Sequence, residues 1–322
     1  MRALPLSWMV TATMLAASGM PVCVAQDAGQ RSIRLVIGFP PGGTTDVMGR
    51  IVANKMFERH AHRVVVDNRP GVFIGAEIVS NASPDGLTLF MGTSGFSTVT
   101  SLYSKVPFDP VKDFAPIAPL ATTPHVITVH PNLPVKSVSE LISYAKSRSE
   151  PMLYAASAPG SGQHLAAELF KRMNGIELTY VPYKGTSGAL PDLLSGRVQV
   201  GIDNVVVMSP HVKRGALRGL GVTGTKRSSV IPDLPTIAEA GTSGFQAIGW
   251  FGLFAPARTP ALVTNKLNVQ IRAVMEEPES RERLLALGAE PVSGSPDDLR
   301  KLLAFEIAKW RKVIRDAGIQ FN

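Results

Sequence analysis

Short β-branched runs alternate with amphipathic helical stretches almost from end to end, the pattern of α/β lobes built on largely parallel sheets. Residues 33–39 read as a strand that Pro40-Pro41-Gly42-Gly43 breaks, after which Thr44-Thr45-Asp46 caps a helix running toward His60. Residues 62–66 make the next strand. Pro84-Asp85-Gly86 then turns the chain into a strand over 87–91, and Thr93-Ser94-Gly95 follows its carboxyl end. A long irregular piece over 103–119 precedes a strand at 126–129, and residues 131–134 make a crossing into a second lobe.

In that lobe Ser137 and Glu140 have the spacing of a capping box and open a helix over 141–147. The unit then repeats: strand 152–156, small-residue loop 157–162, and a helix over 164–173 that Gly175 ends. Strand 178–183 is followed by Lys184-Gly185-Thr186-Ser187, strand 198–202 by Asp203-Asn204, and 217–222 is the last strand of the lobe. Thr236 caps a short helix ending at Gly241, and residues 247–254 return as a strand to the first lobe. Thr259-Pro260 and Ser295-Pro296 start the helices over 261–275 and 297–317, which complete that lobe. The expected division is 26–130 with 240–322 for the first lobe and 131–239 for the second.

The beginning of the chain adds a location. Arg2, an apolar run over 6–17 and small residues before a cut after Ala25 make an export signal, with Gln26 the first mature residue. The apolar run is too short to span a membrane. Cys23 is the one cysteine and leaves with the signal. A lipoprotein reading would make Cys23 an anchor, although Val22 before it is larger than that signal requires. No later stretch is apolar over about 18 residues, so the expectation is a periplasmic protein that meets the membrane only through partners.

Hydrophobic residues make up 45% of the chain, which excludes disorder as its ordinary state. The formal net charge of +8 favours an anionic ligand or surface, and losing Arg2 lowers it by one. No dense Lys/Arg run or aromatic-interleaved basic stripe is present, so nucleic acid is not an expected partner.

The candidate chemistry lies in loops that follow carboxyl ends of strands, where parallel α/β sheets bind ligands. They are Pro41, Gly42, Gly43, Thr44, Thr45 and Asp46; Thr93 and Ser94; Ser157, Ala158, Gly160 and Ser161, with His164 beyond; Tyr183, Lys184 and Thr186; and Asp203 with Asn204. Glycine lets backbone approach a ligand, and free N–H groups at a helix start suit a carboxylate or phosphate, so Gly42 and Gly43 lead as anion-binding positions. Asp203 accepts from a ligand amine or hydroxyl, or caps the helix at Val205; Tyr183 and Lys184 touch ligand or sit on the surface; His164 is structural or a contact. Ser161 near His164 has the residue types of a nucleophile and base, but no recognisable acid orients them. There is no phosphate-binding or dinucleotide glycine fingerprint, no H-E-x-x-H and no G-x-S-x-G, so no cofactor, metal or catalytic residue is expected.

The segment Ile37-Gly38-Phe39-Pro40-Pro41-Gly42-Gly43-Thr44-Thr45-Asp46 resembles the opening of the tripartite tricarboxylate transporter receptors, the Bug/TctC family. Asp67-Asn68-Arg69-Pro70-Gly71, Met91-Gly92-Thr93-Ser94, Phe108-Asp109-Pro110-Val111 and Val181-Pro182-Tyr183-Lys184-Gly185 are similar to later blocks of that family, in its order. The resemblance implies a type II periplasmic-binding-protein fold, two α/β lobes with a ligand cleft between them, and capture of a small carboxylate for integral membrane transporter subunits without an enzymatic step. It implies a monomer, a first-lobe carboxylate loop at Pro41 to Thr45, a second-lobe loop spanning Ser157 to His164, and Asp203 as selector of the ligand's far end. Ala158 stands where the family commonly has glycine and Gly162 where serine or threonine is common, which alters the hydrogen-bond supply there. A sensor that docks on a kinase ectodomain, and an enzyme using the same cleft, are the alternatives.

Overall fold

The computed structural model describes residues 32–71 and 73–316; the leader expected over 1–25, with its cut after Ala25, lies outside the described residues. The order is β1 (Ile33–Ile37), α1 (Thr44–His60), β2 (Val64–Asn68), α2 (Ile74–Ser80), β3 (Thr88–Thr93), a 3-10 turn (Ser94–Ser97), α3 (Val99–Leu102) and β4 (Phe114–Val129). Then follow α4 (Val138–Ser147), β5 (Met152–Ala156), α5 (Gly162–Asn174), β6 (Leu178–Pro182), α6 (Thr186–Leu194), β7 (Val200–Asn204), α7 (Val205–Lys213) and β8 (Arg218–Val222). The chain closes with β9 (Ile248–Pro256), α8 (Ala261–Met275), α9 (Pro278–Ala286), β10 (Glu290–Pro291) and α10 (Pro296–Asp316).

Strands pair in the order β2-β1-β3-β9-β4-β7-β5-β6, with β8 and β10 also on β4. Within each lobe three strands are parallel, β2-β1-β3 in the first and β7-β5-β6 in the second. β4 and β9 run antiparallel between them and carry the chain across. β4 pairs with β9 as far as Pro124 and with β7 from His125, so His125 is the residue at which this strand changes lobes.

The first half of β4 replaces the irregular segment expected there. Pro116, Pro119 and Pro124 disguise it, because proline gives no N–H to a ladder; the register against β9 shifts between Pro116 and Ala118 and again between Pro119 and Ala121, and such bulges let a strand carry proline. α2, also unforeseen, is a seven-residue helix directly after Pro70-Gly71. Other local expectations hold: the Ser137 hydroxyl accepts from Glu140 N while the Glu140 carboxylate accepts from Lys136 N, and Gly175 closes α5 in the left-handed region at φ 59°. Thr236 and Glu239 form a reciprocal cap too, but over a turn rather than a helix.

One core packs β1, β3 and β9 against α1 and α8, through Leu35, Ile37, Met48, Met56, Leu253 and Ile271. A second packs β5, β7 and α5 through Tyr154, Phe170 and Ile202. α10 reaches beyond the first lobe: Leu299 and Leu303 join the aromatic cluster of Phe90, Phe96 and Phe254, while Trp310 and Ile314 pack with the second lobe's core.

Candidate functional site

The glycine turn after β1 ends in an uncapped helix. Gly43, and not Thr44, is the N-cap of α1, and no side chain satisfies its first turn. The first intrahelical bond runs from Val47 N to Gly43 O, so the N–H groups of Thr44 and Thr45 stand ahead of the ladder at the positive end of a 17-residue helix. The loop is held from behind by Asp46, whose buried carboxylate accepts from Gly42 N at 3.0 Å and Arg50 Nε at 2.9 Å. Burial raises the Asp46 carboxyl, and the hydrogen bonds from Arg50, Gly42 and Asn68 outweigh it, leaving the pKa below the usual carboxylate range. Gly42 therefore spends its N–H on its own loop, at φ 81° where a side chain would be strained.

Five ends of strands converge on a polar pocket of about 30 Å³, room for a couple of water-sized groups. Gly43, Thr44 and Thr45 line it beside Thr93, Ser94, Ser157 and Asn204. His125, Gln163 and Trp250, which the loop-based reading did not single out, line it as well. Four buried polar atoms of these residues have no partner: Thr44 Oγ1, His125 Nδ1, Asn204 Oδ1 and Trp250 Nε1. Buried polar groups are normally paired, at about 1–3 kcal/mol for each left unmade, so four on one pocket mark a place that a polar ligand completes.

The remaining predicted positions fall into three groups. Thr93 also borders a second, larger chamber, together with Ala158, Gly160, Ser161, Tyr183 and Lys184. His164 and Asp203 line neither space; both are buried and bonded within the protein. His164 Nδ1 accepts from Gly160 N at 3.1 Å with its ring 4.2 Å from that of Tyr180, and Asp203 Oδ1 accepts from Gln163 Nε2 at 3.1 Å and Asn204 N at 2.7 Å. Pro41 and Gly42 are exposed, and Thr186 opens α6. The Ser161 hydroxyl accepts from His164 N, a helix cap and not a nucleophile held by a base. Among the described residues no group of His, Cys, Asp and Glu side chains could hold a metal, and no helix is long and apolar enough to cross a membrane.

The lobes are closed on each other. Thr98 Oγ1 of the first donates to Gly160 O of the second at 2.7 Å. Three glycines allow this approach: a Cβ on Gly185 would lie 3.2 Å from Pro40 Cδ, one on Gly95 3.4 Å from Ser161 Cα, and one on Gly162 2.2 Å from Ser94 Oγ.

Both buried histidines are neutral. Burial pushes His125 down to about 4, and His164 down to about 4 against Glu168. In the unfolded chain each titrates near 6.5 and takes up a proton first, so stability falls as pH drops from about 6.5 toward 4. Thermal midpoints of the ligand-free protein should decline over that window by several degrees, and a His125→Gln, His164→Gln double variant should show a flatter profile across it; an unchanged slope would rule out these histidines as the cause.

A pocket lined from both lobes and carrying unpartnered donors is a place for a small polar ligand. The tripartite tricarboxylate transporter family receptor model matches residues 48–319. The chain belongs to this family. Rpa4515 of R. palustris, solved with adipate, is 40% identical with a TM-score of 0.88, over 92% of this chain and 100% of that one. The periplasmic binding protein BugD is 31% identical with a TM-score of 0.87, over 91% and 100%. MatC of Rhodopseudomonas palustris, with bound malate, is 32% identical with a TM-score of 0.84, over 88% and 99%. The chain is thus a solute-binding receptor of the TctC/Bug family, with the two-lobed periplasmic-binding-protein fold that its sequence resembled.

Proposed function

We propose that this TctC receptor is exported to the periplasm, captures a small carboxylate as a monomer, closes on it, and presents it to integral membrane transporter subunits without altering it. The observation that carries this reading is the convergence of Thr44 Oγ1, His125 Nδ1 and Trp250 Nε1, buried and unpartnered groups able to donate, on one pocket at the N-terminus of α1. A carboxylate there accepts from the Thr44 and Thr45 N–H groups, the Thr44 and Ser94 hydroxyls and the Trp250 indole. Neutral donors aided by the helix dipole favour an anion without an opposing charge. Adipate on Rpa4515 and malate on MatC are small dicarboxylates and support an acid of that class here.

Of the described residues, those within 26–130 and 240–322 form one lobe and those within 131–239 the other, and the ligand joins them. Opening bends β4 near Pro124 and His125, where its pairing changes, so the strand that carries His125 into the pocket is also the hinge. Asp203 acts through its bonds to the Gln163 amide and the Asn204 backbone N–H, holding both residues at the pocket.

A thermal-shift panel of mono-, di- and tricarboxylates, hydroxy acids and amino acids tests the reading on protein freed of co-purified ligand by unfolding and refolding. At about 100 times Kd a ligand adds roughly 2.7 kcal/mol, a rise of several degrees. One acid class should give that rise; a flat response to every acid would refute the proposal.

A further inference from the structure

Beside the polar pocket, and sharing Phe39 and Thr93 with it, lies a chamber of about 310 Å³ lined from both lobes and open to solvent on one side. Its walls are the more apolar of the two. Gly38, Gly75, Ala76, Phe90, Phe96 and Val99 line it from the first lobe. From the second come Ala158, Pro159, Gly160 and Pro182; of the two hydroxyls on that side, Ser161 Oγ caps α5 by accepting from His164 N, and Tyr183 OH donates to Asp192 at 2.6 Å. Unpartnered buried polar atoms thus gather in the small pocket, while the larger space offers apolar surface and glycine backbone, with the Lys184 ammonium exposed at its border. Its volume falls at the lower end of ordinary ligand sites, which are mostly apolar with a few convergent polar groups.

We propose that the chamber receives an apolar body, aryl or branched aliphatic, carried by the same acid whose carboxylate fills the polar pocket, so that the receptor selects hydrophobic carboxylates over compact polar ones. The proposal rests on the carboxylate reading above and specifies its substrate class. Phe39 and Thr93, common to both spaces, are where the head meets the body. Phe90 and Phe96, packed edge to face at 5.1 Å between ring centroids, give the chamber a rigid aromatic wall. Each methylene-sized group buried there tightens binding roughly fourfold.

Succinate and phenylsuccinate are a matched pair with the same two carboxylates, and calorimetric titration of both into the mature protein is the test. Phenylsuccinate should bind at least about 30-fold tighter, equivalent to two to three buried methylenes. Ala76→Leu, on α2, and Gly38→Val, whose added Cβ would meet only Gly71 O at 3.7 Å, fill the chamber from two sides and should each bring the ratio of the two affinities below about fivefold. Circular dichroism identifies a variant that fails to fold, and the other then carries the comparison. Equal affinities in the wild type, or a ratio that both folded variants leave intact, would overturn the chamber's role while the carboxylate reading stands. If neither diacid binds and the wider acid panel is flat as well, the carboxylate reading itself fails and this inference with it.

Discussion

Replacing Asn204 by aspartate should raise the Kd of the bound acid several-hundredfold. Asn204 ends β7 with its side-chain oxygen buried and unpartnered in the polar pocket, and the residue is only 5% exposed. Aspartate has almost the same shape, so the substitution changes charge with little change in packing. Two like charges about 5 Å apart at an effective dielectric near 20 repel by roughly 3 kcal/mol, and no described cation lines the pocket to relieve it. Isothermal titration with the best acid from the panel measures the loss. A loss below tenfold would mean that the ligand's charge lies elsewhere.

Gly162→Val should abolish closure. Gly162 opens α5 on the second lobe, and a Cβ there would stand 2.2 Å from Ser94 Oγ, 3.2 Å from Ser94 Cβ and 3.3 Å from His125 Nε2, all on the other side of the pocket. The residue lies at the first position of a helix, where valine costs well under 1 kcal/mol, so the folded lobes survive while their approach does not. Small-angle scattering of the wild type should show a smaller radius of gyration with ligand than without. The variant should keep the open value at any ligand concentration, and its affinity should fall at least about 100-fold, since only one lobe's contacts remain. A variant that still compacts and binds would remove the glycine approach from the mechanism.

Much of this molecule was legible in the sequence because its rule is simple: an apolar strand, then a small-residue turn, then a helix, with the pocket lined where the strands end. Gly43, Thr44, Thr45, Thr93, Ser94, Ser157 and Asn204 follow that rule, and the structure brings all of them to one pocket. His125 and Trp250 escape it, since they stand within the antiparallel strands β4 and β9 that the parallel pattern does not describe. A signal was present for Trp250: Gly249 and Gly252 flank it in an otherwise apolar strand, and glycine inside a strand marks a close approach. A Cβ on Gly249 would lie 3.2 Å from His125 Cε1 and 3.3 Å from Asn204 Oδ1.

Asp46 and His164 show a different limit. Both sit in the right loops and have the right chemistry, and each also holds the backbone of its own loop, Asp46 at Gly42 N and His164 at Gly160 N. Residue type and position do not tell a group that meets a ligand from one that shapes the loop meeting it. The distinction depends on where the remaining donors point, which only the folded chain supplies.

Neutral donors at the start of α1 should bind an ionised carboxylate. Calorimetric titration of the acid that responds in the panel, against the same molecule with each carboxylate converted to its amide, addresses it most directly. One binding site per chain, with the acid at least about 100-fold tighter than one of its amides, is the expected result; equal affinity for the acid and every amide would contradict it.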